Sequence, residues 1–374
     1  MTSLGDDAVE LTRELVALDT VNPALVPGAA GERPAVELLA ARLSRRGFGI
    51  EIVGPADRPS LLATHRGRGG GWSLALNGHL DTVGVDGMEE PFSPRIEGGR
   101  MYGRGTCDMK AGVAAMVVAA EHAADAGHDG DVVLALVADE EHGSLGTAAV
   151  LEQLAGRMPD ACIVGEPTWL DVIVAHRGFA AIEVEIRGRA AHSSRPEDGL
   201  NAVTLLGRLL GAVEARDREL AAGEGHPYAG HGSLMATVVH GGSAPFTLAA
   251  HASAIVERRS IPGEPLDSGL RDVRAIIERL GVDAECRELV ARDPWELSGA
   301  PAARRVVELL PFTGRGGAPY WMESAMWERA GVPTVVCGPA GGGLHTVVEW
   351  VELDQLRAYT EALASLIPAF GRES

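Results

Sequence analysis

The chain predicts a layered α/β domain interrupted by a small α+β module, and three features carry that expectation. Short apolar runs alternate with helical stretches from the amino end to about residue 170. Around Val172 the texture changes to strands that alternate apolar and charged residues, the mark of a sheet with one wet face. Near Ala300 the first texture returns, so the module reads as an insertion. With 374 residues, two domains are expected in any case.

The elements follow in order. Ala8 to Asp19 carries Val9, Leu15, Val16 and Leu18 as a helical face and stops before Asn22-Pro23. Glu32 to Arg46 is a second helix, with Pro34 in its first turn and Gly47 just past its end. Phe48–Val53, Leu61–His65 and Ser73–Asn77 read as strands, and the Ala/Val-rich stretch Lys110–Ala126 as a helix packed closely on a sheet. Asp131 to Gly165 gives strand, helix, strand. In the module, the strand Ala181–Arg187 precedes a helix from about Leu200 to Ala215. Strands follow at Gly232–His240 and Ala252–Arg259, then a helix at Leu270–Leu280 and a strand at Val282–Leu289. That order places helices on one side of an antiparallel sheet. Helices at Pro301–Leu310 and Met322–Arg329, a strand at Thr334–Cys337 and a helix at Leu353–Ile367 complete the first texture. Gly67–Gly71, Gly241-Gly242 and Gly341–Gly343 read as loops. The resulting boundaries are 1–174 with 292–374 for the larger domain and 175–291 for the insertion.

Composition removes whole classes of function. The 33 basic and 52 acidic side chains leave a net charge of -19, which repels phosphate backbones and anionic membranes, so neither is expected as a partner. No stretch approaches the roughly 20 apolar residues that span a bilayer. Cys107, Cys162, Cys286 and Cys337 show no CxxC spacing and read as free thiols. The start, Met1 to Asp7, shows neither a basic nor an apolar targeting region. A cytoplasmic protein is the expectation.

Five residues that favour metals (His79, Asp108, Glu141, Glu166 and His345) stand in separate Gly-containing turns, four of them after a strand-like run. In open α/β sheets the crevice beyond the strands' carboxyl ends is where sites form, so residues distant in sequence converge there. Each has an ordinary reading alone. Asp108 just ahead of a helix suits an N-cap, and His79-x-Asp81 suits a carboxylate that orients the imidazole or braces its surroundings. Glu140-Glu141 are two adjacent carboxylates whose repulsion needs a cation or a shared proton. As a set, two histidines and three carboxylates suit two divalent ions, Zn²⁺ first, with Co²⁺ or Mn²⁺ as alternatives. Two such ions about 3.5–4 Å apart activate a bridging water and polarise a carbonyl. Glu140, beside a ligand and surplus to ligation, is placed to move a proton from that water to a leaving amine.

Gly78-His79-Leu80-Asp81, Gly105 to Gly112, Asp139 to Ser144 and Gly165-Glu166-Pro167-Thr168 together resemble the two-zinc amidohydrolase and metallopeptidase superfamily. That superfamily includes acetylornithine deacetylase, succinyl-diaminopimelate desuccinylase, aminoacylase and glutamate carboxypeptidase. The resemblance covers nearly the whole chain. It implies a phosphorylase/hydrolase-like three-layer catalytic domain with an inserted ferredoxin-like α+β dimerisation domain. It further implies that Asp108 bridges two metals, with His79 and Glu166 on one and Glu141 and His345 on the other. Glu140 would be the general acid/base and Asp81 its neighbouring catalytic carboxylate. Ala191-His192-Ser193-Ser194 is similar to the segment whose His stabilises the oxyanion in the partner subunit of a homodimer. Arg259, ahead of Pro262-Gly263, matches the arginine that binds a substrate carboxylate. Taken alone, His192 reads equally as a surface-loop residue and Arg259 as a solvated strand residue.

Two segments depart from the family pattern. Pro245 to Ala250 lacks the Asn and Pro-Asp that commonly precede the arginine, and Glu323-Ser324 stands where Thr-Asp is usual. The expected reaction is therefore dizinc hydrolysis of the amide of a small N-acyl amino acid, acetylornithine-type first. A dipeptidase or glutamate-type carboxypeptidase is the alternative. A metal-binding protein without chemistry is the remaining rival, opposed by the survival of all six metal and acid/base positions.

Overall fold

The computed structural model describes residues 3–372; Met1 and Thr2, part of the amino-terminal segment read above, lie outside the described residues, as do the last two. The chain divides into two compact units. One holds the chain up to Val174, Leu297–Gly316 and the chain from Met326 onward; the other holds Ala175–Glu296 and Gly317–Ala325. The insertion read from sequence, 175–291, is thus shorter than the second unit, which extends to Glu296 and takes in a short return segment as well.

The first unit is built on a mixed sheet. Its strands lie in the order Gly49–Val53, Ser60–His65, Val132–Val137, Leu74–His79, Ala161–Val164, Thr334–Val336. The last four run parallel to one another, and the first two are antiparallel additions. Both faces are covered, which is why these strands read as continuous apolar runs. Leu61, Ala63, Leu74, Leu76, Leu134 and Leu136 enter one core with the helices Leu4–Val16, Ala111–Ala126 and Leu353–Phe370. The alternate residues Leu62, Ala75, Ala135 and Val137 are equally buried. Helix Ala111–Ala126 is buried almost all round, and small residues make that packing close. A Cβ on Gly112 would stand 2.4 Å from the Gly165 carbonyl oxygen, so glycine is what lets this helix abut the strand end that carries Glu166.

A second sheet in this unit was not read from sequence. It orders Gly341–Gly342, Trp350–Glu352, Arg100–Tyr102 and Arg95–Glu97. Residues 341–343 were expected to be loop, yet Gly341 and Gly342 pair with Val351 and Trp350. A Cβ on Gly341 would lie 2.0 Å from the Trp350 carbonyl, so the pairing needs a residue without a side chain. This ribbon ties the 340s to the segment just before Asp108. The first helix also starts earlier than expected, at Leu4 rather than Ala8. The Ser3 side chain accepts from the Asp6 amide at 3.1 Å and two acidic residues occupy the first turn.

In the second unit, the strands Ser233–Gly241, His251–Ser260, Gly178–Arg187 and Ala284–Arg292 form an antiparallel sheet in that order. Helices Ala202–Ala222 and Ser268–Leu280 cover one face, burying Ile182, Val184, Ile186, Val256 and Leu209 among others. The first of these helices runs two turns beyond the expected end at Ala215. Those turns carry Arg216–Glu219 and Arg218–Glu214 ion pairs instead of an apolar stripe, so periodicity could not reveal them. No helix of the described residues is long and apolar enough to cross a membrane. All four cysteines are free.

Candidate metal centre

Four parallel strands point their carboxyl ends the same way, and the singled-out residues of the first unit gather there. His79 is the last residue of its strand, Asp139-Glu140-Glu141 follow Val137 after one residue, and Glu166 follows Val164 after one residue. His345 arrives from the loop after Gly341–Gly342, in a left-handed backbone conformation at φ 59°. Asp108 lies in a tight irregular turn and caps nothing. The following helix begins after Lys110 with no side-chain cap, which corrects the N-cap reading.

Asp108 stands between the two histidines. Its Oδ1 is 3.0 Å from His79 Nε2, and its Oδ2 is 3.4 Å from His345 Nε2. His345 Nε2 is also 3.1 Å from Glu141 Oε2, and His79 Nε2 is 3.9 Å from Glu166 Oε1. His79, Asp108 and Glu141 each offer a ligand atom within 4.8 Å of one another, and so do His79, Glu140 and Glu166. His79 is buried, while His345 is 53% exposed. One side of the cluster is therefore sealed by protein and the other opens outward.

The orientation of His79 is set by its other nitrogen. Nδ1 donates to the Asp81 carbonyl at 3.0 Å, which turns Nε2 toward Asp108 and Glu166. The sequence offered the Asp81 carboxylate for this task as one option. Its nearer oxygen is 3.7 Å away, beyond hydrogen-bond range, and its short contacts go elsewhere. Oδ1 accepts from the Glu140 amide at 3.1 Å and Oδ2 from the Glu141 amide at 3.2 Å. Asp81 thus braces the backbone of the two adjacent carboxylates.

A residue that sequence reasoning missed shapes the Asp108 turn. The buried Glu349 accepts from the amides of Gly105, Cys107 and Asp108 at 3.0, 2.8 and 3.1 Å and from Arg104 Nη1 at 2.7 Å. Arg104 Nη2 in turn donates to the carbonyls of Gly84 and Thr346, both at 3.0 Å. One ion pair therefore fixes the loops that present Asp108 and His345. Nothing in Val348-Glu349-Trp350 signals this, because the partners lie some 240 positions away.

Electrostatics show what the donor set demands. Burial opposes a charge on His79, yet its hydrogen bond to Asp108 and the charges of Glu166 and Asp108 raise its pKa well above the ordinary value. His345, hydrogen-bonded to Asp108 and Glu141, is raised to about 10. Burial works against the Asp108 carboxylate, but both histidines hold it below the usual range. Glu141 is pushed up by burial and by the neighbouring Asp108 charge. Two imidazolium protons are thus what balances these carboxylates when nothing else does, and divalent ions displacing those protons fit the same donors.

His192 and Arg259 belong to the second unit. His192 is exposed, on a loop strapped to residues 246–248 by Ser193 N to Phe246 O and Leu248 N to Ala191 O, each 2.8 Å. Its Nδ1 accepts from the Ser194 amide at 3.2 Å and meets Ser194 Oγ at 2.8 Å, so the neutral ring carries its proton on Nε2 as an outward donor. Arg259 sits on the sheet face away from the helices, 2.5 Å from Glu257 and over the Phe179 ring at 5.4 Å.

Comparison with known proteins agrees with this architecture. Residues 75–369 match the model of peptidase family M20/M25/M40. A succinyl-diaminopimelate desuccinylase of Burkholderia lata is 29% identical over 96% of this chain and 98% of its own. An acetylornithine deacetylase of Myxococcus xanthus is 30% identical, covering 96% of each. Among solved structures, a tripeptidase of Staphylococcus aureus superposes with a TM-score of 0.81 over 99% of both chains at 19% identity, a likeness of fold. The chain belongs to peptidase family M20/M25/M40.

Proposed function

We propose that this chain hydrolyses the amide bond of a small N-acyl amino acid at a centre of two divalent metal ions, Zn²⁺ first among the candidates and Co²⁺ or Mn²⁺ as alternatives. The observation that carries the reading is Asp108 turning one oxygen to His79 and the other to His345. A carboxylate so placed would hold two ions, with Glu166 available on the His79 side and Glu141 on the His345 side. Bound there, the ions supply an activated water and polarise the acyl carbonyl. The desuccinylase and deacetylase relatives, aligned over nearly the full chain, support an acyl amino acid as substrate.

The protein's own groups divide the remaining work. Glu140 shares the neighbourhood of His79 and Glu166, and acts as the base that takes the water's proton and delivers it to the leaving amine. Asp81, hydrogen-bonded to the Glu140 amide, keeps that carboxylate at the strand end. His192, with its proton on Nε2, donates to the carbonyl oxygen as negative charge develops, acting from the partner subunit of a homodimer. Arg259 holds the α-carboxylate. The edge strand Ser233–Gly241 supports pairing with a second copy: Met235, Val238 and Val239 are exposed along it, a surface that soluble chains usually cover. Free thiols and the absence of a membrane-length helix among the described residues accord with a cytoplasmic enzyme.

The test is primary-amine release by Zn²⁺- or Co²⁺-loaded protein from N-acetyl-ornithine, other N-acetyl amino acids, N-succinyl-diaminopimelate and a few dipeptides. Strong turnover of an acyl amino acid is expected, lost after chelation and restored by metal. Turnover of dipeptides alone, or of nothing with both ions bound, would overturn the substrate class.

A further inference from the structure

We propose that Arg58 is a positioning residue for the Glu140–Glu141 pair, acting through a buried polar chain that ends on the backbone of these two residues. Arg58 Nε and Nη2 donate to Glu32 Oε2 and Oε1 at 3.0 and 2.6 Å, and Nη2 lies 3.0 Å from Asp139 Oδ1. Glu32 Oε1 also accepts from the Asp139 amide at 3.2 Å. Asn22 Nδ2 then bridges Asp139 Oδ1 at 3.1 Å and Asp81 Oδ2 at 2.8 Å. Asp81 closes the chain on the amides of Glu140 and Glu141.

Three points make this more than a stabilising cluster. First, every member is buried, and two carboxylates meet one guanidinium while a third, Asp81, is reached only through Asn22, a combination that a well-packed apolar core would match or better for stability. Its retention behind two adjacent acidic residues favours a role in placement. Second, Arg58 grips Asp139, the residue immediately before Glu140, which holds a left-handed conformation at φ 69°. A non-glycine residue there has a cost that its surroundings must offset, and fixing it sets the direction in which Glu140 leaves the strand. Third, Glu32 accepts from both the Arg58 side chain and the Asp139 backbone, so side chain and main chain are locked together. The sequence registered Asn22-Pro23 only as a helix stop and gave Glu32 and Arg58 no role, since the chain links positions as far as 117 apart.

The inference rests on Glu140 as acid/base and Glu141 as ligand, and the experiment separates the two. In the metal-loaded full chain, Asn22→Ala and Arg58→Gln lower kcat roughly 10–100-fold while both ions are retained and KM changes little. Arg58→Lys restores only part, because an ammonium cannot make the two-pronged pair with Glu32. The double variant is little worse than either single one, since both break the same chain. The visible absorption of the Co²⁺-loaded protein shifts in each variant, because Glu141 moves with Glu140. A lowered Tm with unchanged kcat and an unchanged Co²⁺ spectrum would overturn the proposal and leave the cluster a purely structural one. Should Arg58→Gln not fold, Asn22→Ala decides, since it removes no charge. Should the wild type hydrolyse nothing, the functional reading fails while the Co²⁺ spectrum still judges the positioning role.

Discussion

The two units present their candidate chemistry in opposite ways. In the first, His79, Asp108, Glu141 and Glu166 have little exposed side chain, and hydrogen bonds from several loops hold their surroundings. In the second, His192 stands on an exposed loop beside Ser194, and Arg259 on the sheet face away from the helices beside Glu257 and Phe179. Hydrolytic machinery tolerates little displacement, whereas groups that meet the substrate must stay reachable. Of the two departures from the family pattern, Pro245–Ala250 falls largely on the second kind of surface, whereas Glu323-Ser324 is buried. Phe246, at 76% exposure and φ 62°, lies in the first of these segments and is tied to the His192 loop through Ser193. On the proposed reading, the reaction belongs to the buried groups of the first unit and the contacts with substrate to the exposed groups of the second.

That contrast can be broken at its open end first. His192→Ala is expected to lower kcat by roughly 10²–10³-fold, the usual cost of losing one oxyanion donor, with metal content and thermal stability unchanged. Steady-state amine release beside metal analysis checks this. Unchanged kcat would return His192 to the surface-loop reading.

At the buried end, Glu349→Gln is expected to lower metal affinity or activity roughly 10–100-fold. The amide that replaces one carboxylate oxygen brings N–H groups against the donors of Gly105, Cys107 and Asp108, so the Asp108 turn must shift. Titration with a competing chelator measures it, and wild-type affinity would show that the turn holds itself.

A third effect sharpens the comparison through stability. His176 is fully buried in the second unit, stacked on Trp295 at 5.4 Å, donating from Nδ1 to the Arg177 carbonyl and accepting at Nε2 from Ser324 Oγ at 2.8 Å. Burial depresses its pKa from 6.5 to about 4, with backbone hydrogen bonds opposing only in part. The unfolded chain therefore binds the proton first as pH falls. His176 contributes fully above pH 6.5, and its contribution is lost progressively toward pH 4. The loss by about pH 5 is on the order of 2 kcal/mol. Denaturant unfolding followed by Trp fluorescence should show it in wild type and not in His176→Asn. An equal acid loss in both would assign the effect to other groups.

Much of this molecule was legible because its strands are short, apolar and followed by the residues that matter. His79, Glu141 and Glu166 could be placed together from one rule about strand ends. The inserted sheet was equally visible, since Ala181 to Arg187 alternates with a period of two. What escaped was long-range and polar. The ribbon joining Trp350–Glu352 to Arg100–Tyr102 has strands of only three residues, too short for their alternation to stand out, and its glycines read as loop. Glu349, Arg58 and Asn22 are single polar residues in ordinary surroundings, and only the fold reveals that each is buried against partners far along the chain.

The central claim is that Glu140 moves the proton in amide hydrolysis at a two-metal centre. The most direct measurement is amine release from an N-acyl amino acid by the wild type and by Glu140→Ala at matched metal content. Two ions per chain in both proteins, with turnover in the variant lower by roughly 10²–10⁴-fold, is the predicted result. Near-wild-type turnover by Glu140→Ala with both ions bound would contradict it.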